Sequence, residues 1–153
     1  MSVWRILFDL VVAGIATAGF GLLFRTEPKS LLPGAIIGGV GYILYDAIVI
    51  YYGSTAVAAF LAGLLVGLVA EAAARILKNP AIIFATMGVI PLVPGYGLYQ
   101  TMENIVLGDY VAAIAVGMET LLVAGSIAMS LGFSTVIARR LIRASKKRVG
   151  LAK

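Results

Sequence analysis

The sequence predicts an all-α integral membrane protein with five transmembrane helices, the fourth discontinuous at Pro91–Gly95. Three observations carry this expectation. Hydrophobic residues make up 61% of the 153 positions, where a soluble domain sits near half, and the mean hydropathy is +1.05. The apolar excess runs along the whole chain in stretches of about 20 residues, the length that crosses a hydrocarbon core. One stretch carries Pro91, Pro94, Gly95 and Gly97 near its centre. Each proline removes a backbone donor and clashes with the preceding turn, and the glycines weaken what is left.

Taken in order, the first span is Ile6–Phe24, ended by Arg25-Thr-Glu-Pro-Lys. It is too long for the apolar core of a cleavable signal and has no clear small-residue cleavage site before the next span. The second, Leu32–Tyr52, is rich in glycine at its start and tyrosine at its end; Tyr51 and Tyr52 suit an interfacial aromatic belt. The third is Thr55–Leu77, the fourth Pro80–Leu107 and the fifth Tyr110–Phe133. The expected division is a transmembrane domain over 1–133 and a basic cytoplasmic tail over 134–153. That tail reads either as a topology anchor or as a basic amphipathic helix on anionic lipid.

Charge sets the expected orientation. With five spans, Arg25, Lys29, Arg75, Lys78 and the basic residues from Arg139 to Lys153 share one side, and Arg5 alone lies opposite. The positive-inside rule then places the C-terminus in the cytoplasm and the N-terminus outside a plasma membrane. An odd number of spans suits one half of an inverted repeat. The net charge of +5 is accounted for by this asymmetry, so no nucleic-acid partner is expected.

The chain has no Cys and no His. Disulfides, thiolate or imidazole metal sites and imidazole proton shuttles are therefore excluded. Any proton-coupled chemistry must use carboxylates or tyrosines. No nucleophile–base set, metal cluster or phosphate loop is visible, so neither an enzyme nor a cofactor is expected.

The candidate site is the break. A broken helix in lipid survives where its freed backbone groups face protein or a wet cavity. The half-helix beginning near Gly95 presents unpaired N–H groups and a positive dipole end, which favour an anion. Pro94, Gly95, Tyr96, Tyr99 and Gln100 are the candidate substrate-binding residues. The bland alternative is a proline kink that serves packing.

Charge inside a bilayer costs roughly 2.5–3.5 kcal/mol on insertion scales, so each acid there needs a reason. Glu119 lies nine residues into the fifth span, about 14 Å deep at the helical rise, with Ala112, Ser126 and Ser130 near its face. It is the first candidate for proton coupling, against a structural glutamate bonded to a neighbouring helix. Asp46, with Gly34, Gly38 and Tyr42 at four-residue spacing, and Glu103, with Tyr96, Tyr99 and Gln100, are the others. Each of those two reads equally as an interfacial residue near a helix end. Glu71, four residues before Arg75, reads as a structural helix pair. Asp9, four after Arg5, reads the same way, and Gly63-x-x-x-Gly67 as a close-packing face.

Ile90-Pro-Leu-Val-Pro-Gly, then Tyr99, then Gly108-Asp109 before a last apolar span, resembles the C-terminal half of the threonine/serine exporter family. That half also occurs as a separate small subunit of about this length. The resemblance implies a secondary exporter driven by the proton-motive force and built from two five-span halves, fused or separate, so a partner half-subunit is expected. It implies threonine or serine as cargo for fused forms and a dicarboxylate such as succinate for two-chain forms. The absence of Lys or Arg from the middle of any span favours an amino acid; the split architecture favours a dicarboxylate. Two other classes stand beside this reading: a self-sufficient homodimeric exporter of cationic compounds, and a non-transporting scaffold subunit.

Overall fold

The computed structural model describes residues 3–150, with side chains described for residues 4–140. Its elements are α1 (Val3–Leu23), α2 (Pro28–Tyr52), α3 (Thr55–Leu77), α4 (Ala81–Val89), a 3-10 turn (Ile90–Leu92), α5 (Gly95–Val106) and α6 (Tyr110–Gly150). Among the described residues four helices are long and apolar enough to cross a membrane, or five if the bent pair Ala81–Leu92 and Gly95–Val106 is one span. The expected fold class is thus observed. The protein is a multi-pass membrane protein, and large exposed apolar side chains such as Trp4, Leu7 and Phe8 on α1 suit a lipid surround.

Local chemistry sets the ends of these helices. Pro28 opens α2 at a position where the missing N–H is no loss. Gly53 closes it in the left-handed region at φ 68°, where glycine carries no Cβ penalty. Ser54 caps α3, its side chain accepting from the Val57 amide. Gly108, at φ 79°, turns the chain after α5. Asp109 then caps α6, Oδ1 accepting from the Ala112 amide at 3.0 Å. The Gly-Asp pair is therefore a stop followed by a start.

The break follows from its prolines. Val93 is extended at φ −60°, ψ 128°, because the ring of the following Pro94 disfavours the helical region for the residue before it. The chain re-enters a helix at Gly95, bent by 51° from α4. The bend changes neighbours. α4 packs against α2 and α3, with Phe84 and Met87 fully buried. α5 packs on the first turns of α6, and none of its residues is buried.

α3 is the central post. It runs parallel to α6, with Thr55 beside Glu119, Gly63 against Ser130 and Gly67 against Ser134. A Cβ at either glycine would collide with the serine hydroxyl facing it, so the expected close-packing face is observed. The core around it joins Ile37, Ala62, Val66, Phe84, Leu92 and Ile127.

Polar contacts mark the two ends. At the basic end, Asn79 Nδ2 donates to Ser30 Oγ at 2.6 Å and to Glu27 Oε2 at 3.3 Å, tying the α3–α4 turn to the α1–α2 turn. At the opposite end Arg5 pairs with Asp46 at 3.3 Å and with Asp9 at 3.6 Å. Glu71 pairs with Arg75 at 3.5 Å, as its spacing indicated.

Phe133, the expected end of the last span, is not the end of the helix. α6 continues without interruption, and Ser134 and Ala138 are buried in the bundle. Hydropathy falls after Phe133, but Ala, Leu, Arg and Lys there are all good helix formers. The side chains of Arg143, Lys146, Lys147, Arg148 and Lys153, which carry the reading of the basic tail, lie outside the described residues.

Candidate functional site: the cavity at the helix break

A cavity of about 210 Å³ opens where α5 begins. Pro94, Tyr96, Gly97 and Gln100 line it from α5, and Val116, Glu119, Thr120 and Val123 from α6. Tyr45 and Thr55 complete it from α2 and α3. Its volume lies below the roughly 300–1,000 Å³ of pockets for drug-sized ligands and suits a small metabolite.

Glu119 is the one acid in this lining. Its Oε1 accepts a hydrogen bond from Thr55 Oγ1 at 3.0 Å. Thr55 is held there because Ser54 caps α3 and so defines where its first residue lies. Across the cavity, Pro94 caps α5 without a side-chain hydrogen bond. The Gly95 amide turns back to the Val93 carbonyl at 2.7 Å, and the Leu98 amide bonds the Pro94 carbonyl at 3.1 Å. The Tyr96 and Gly97 amides lie between these two in the first turn, where helix geometry supplies no acceptor. Gly97 is required for a second reason: a Cβ there would strike the Thr120 hydroxyl. That hydroxyl is already committed, donating to the Val116 carbonyl at 2.7 Å. The start of α5, with its unpaired amides, and the Glu119 carboxylate therefore line one small space, an arrangement able to hold a group of each charge.

Of the residues singled out from sequence, Pro94, Tyr96, Gln100 and Glu119 meet at this cavity. Gly95 and Tyr99 adjoin it on α5 without lining it, and Tyr99 is 62% exposed. Glu103 is exposed further along α5. Asp46 is held in the Arg5–Asp9 cluster at the start of α1. The structure does not bring Glu103 or Asp46 to the Glu119 cavity.

Sequence reasoning also placed Glu119 near the middle of its span. It lies instead level with Thr55, the first residue of α3. The count of nine residues holds, but those residues, Tyr110–Met118, stand beside α5 and overhang the start of α3 by about 13 Å at the helical rise.

Tyr45, Thr55, Gly97 and Thr120 were not singled out as site residues. Gly97 had a signal, as a glycine just inside a helix start. Thr55 and Tyr45 arrive from other helices, and nothing local announces them.

A multi-pass helical protein with a broken span, and a carboxylate lining the same cavity as the half-helix start, resembles the discontinuous-helix sites of membrane transporters. Comparison with known families agrees: the family described as "Threonine/Serine exporter, ThrE" matches residues 9–137. The chain belongs to the threonine/serine exporter family, a class of transporters and not of enzymes. It is 30% identical over 138 residues to a threonine/serine exporter of Corynebacterium glutamicum, an alignment covering 88% of this chain and 27% of that one. It is 28% identical over 103 residues to an uncharacterised protein of Haemophilus influenzae, covering 67% of this chain and 34% of the other. The chain thus spans about a third or less of the length of these relatives. No solved structure matches it.

Proposed function

We propose that this chain is a membrane subunit of a proton-coupled secondary exporter of small carboxylate-bearing metabolites, a threonine- or serine-like amino acid foremost. The observation that carries the reading is the cavity between the α5 tip and Glu119. The cargo carboxylate rests at the first turn of α5, near Tyr96 and Gly97, where N–H groups and the helix dipole favour an anion. The cargo ammonium pairs with Glu119. Tyr96 and Gln100 supply further hydrogen-bonding groups along the wall.

Coupling follows from charge. Ionised Glu119 holds an ammonium; a proton arriving at the same carboxylate neutralises it and releases the cargo. With the basic end in the cytoplasm, as the positive-inside rule directs, this cavity lies toward the outside, where the proton-motive force supplies protons. Proton uptake and cargo release then alternate at one group. A dicarboxylate such as succinate would require a second cation, and no Lys or Arg lines the cavity. The lining therefore favours the amino acid.

The matched segment makes up 34% and 27% of these family relatives, which supports completion of the exporter by a second half. The test is counterflow of labelled threonine in vesicles holding both halves. Glu119→Gln is expected to abolish proton-coupled export while the protein inserts normally. Unchanged transport and coupling would remove Glu119 from the mechanism.

A further inference from the structure

A second cavity, of about 270 Å³, lies on the basic-end side of the break. Gly67 and Ala70 of α3 line it, with Ala81 and Ala85 of α4 on one side and Ser134 and Thr135 of α6 on the other. Glu71 also lines it, its side chain 21% exposed.

The polar groups of this cavity are of one kind. Ser134 Oγ donates to the Leu131 carbonyl at 2.8 Å, and Thr135 Oγ1 donates to the same carbonyl at 3.1 Å. A hydroxyl has one proton to give, so both present only acceptor lone pairs to anything else. Ionised Glu71 is acceptor-only as well. The remaining lining side chains are glycine and alkyl groups. The wall thus offers three acceptors and no side-chain donor, and a ligand there must donate. The Glu71–Arg75 pair accounts for a glutamate near the end of α3. The same wall adds two hydroxyls to that glutamate, Ser134 packed against Gly67 and Thr135 half-buried beside it.

We propose that this cavity is a cation-receptive subsite that takes the ammonium group of a small amine-bearing solute, with Glu71 as its counter-ion. It rests on the exporter reading for direction: the same cargo would dock here by its ammonium before it reaches the break, where both of its charges are met. Arg75, 46% exposed, pairs with Glu71 at 3.5 Å. An exposed pair of this kind contributes little, so an incoming ammonium displaces it readily.

The absence of cysteine from the chain makes a direct test available. Thr135→Cys is introduced alone, and the protein in lipid vesicles is treated with a positively charged methanethiosulfonate or a negatively charged one of similar size. Each rate is normalised to that of a free thiol in solution. The expected result is a preference for the cationic reagent of roughly tenfold, lost when Glu71→Gln is added. Threoninol, which keeps the ammonium and lacks the carboxylate, should slow the labelling; 3-hydroxybutyrate should not. Ala85→Cys on the facing helix gives a second reading should Thr135→Cys fail to insert. Equal rates for the two reagents, a preference that survives Glu71→Gln, or no labelling by either reagent would each overturn the proposal. Labelling reads the cavity and not transport, so failed export with this pattern intact would count against the proposed cargo and leave the subsite standing.

Discussion

The two cavities sit on either side of the same broken helix and differ in chemistry. The cavity at the break combines a donor-rich helix start with a glutamate. The one toward the basic end offers a glutamate and two hydroxyls whose protons are already committed. On the proposed reading the first receives a zwitterion and the second its cationic end. The difference arises from the 51° bend. Before the bend α4 lies with α2 and α3, leaving its space beside α6 to small residues. After the bend α5 leans on α6 and brings a fresh helix N-terminus with it. One break thus produces two cavities of unlike lining.

The largest effect expected from a single change is at Glu119. Glu119→Gln should lower proton-coupled transport by at least about 100-fold, the loss of a charge pair to bound cargo, while the cysteine labelling pattern of the basic-end cavity is unchanged. Transport assays and labelling on the same preparation check both halves of that statement. Next is Gly67→Val. Its side chain meets Ser134 and Leu131, so α3 and α6 must separate, at about 1–3 kcal/mol typical of overpacking. Thermal denaturation in detergent should show the loss. Gly97→Ala separates the two sites more finely: its methyl meets the Thr120 hydroxyl and should cut export about tenfold, the effect of roughly 1.4 kcal/mol. Adding Thr120→Ala should restore most of the activity, because it removes the obstructing atom. Failure of that rescue would show that Gly97 serves something other than close approach.

The smallest effect belongs to the basic end. Lys29, 2.8 Å away, and Asn79 hydrogen-bond Glu27 and hold its carboxyl below the ordinary range. A depressed carboxylate contributes stability above its unfolded pKa and loses it as pH falls through the folded value. Glu27→Gln should therefore cost a little stability at pH 7, where this exposed carboxylate is ionised and paired, and the difference from the unsubstituted protein should shrink as pH falls below the ordinary carboxylate value. Melting curves across that range test the sign.

Much of this was legible in the sequence where the cause is local. Pro91, Pro94 and Gly95 break a helix wherever they stand, and the break is where they put it. Gly63 and Gly67 at four-residue spacing indicated a close approach, and α6 makes it. What was not legible depends on relations between distant segments. Glu119 was assigned a depth by counting from Tyr110, which assumes that all spans start at one level. α6 starts beyond α3, beside α5, and no local pattern encodes such an overhang. Asp46 was grouped with the coupling residues because its own face holds glycines and Tyr42. Its partner Arg5 lies 41 positions away. Glu71 was assigned to its neighbour Arg75, and that pair exists; the hydroxyls of Ser134 and Thr135 appear beside it only once α6 is placed.

Cargo docking between the α5 tip and Glu119 is the proposal on which transport through this chain turns. Its most direct measurement is protection of a single cysteine in the two-half exporter. Gln100→Cys lines the cavity, while Tyr99→Cys, one residue earlier on α5, does not. Saturating threonine is expected to slow thiol modification of Gln100→Cys and leave Tyr99→Cys unaffected. Equal protection at both positions, or none at Gln100→Cys in vesicles that export threonine, would contradict docking at the break.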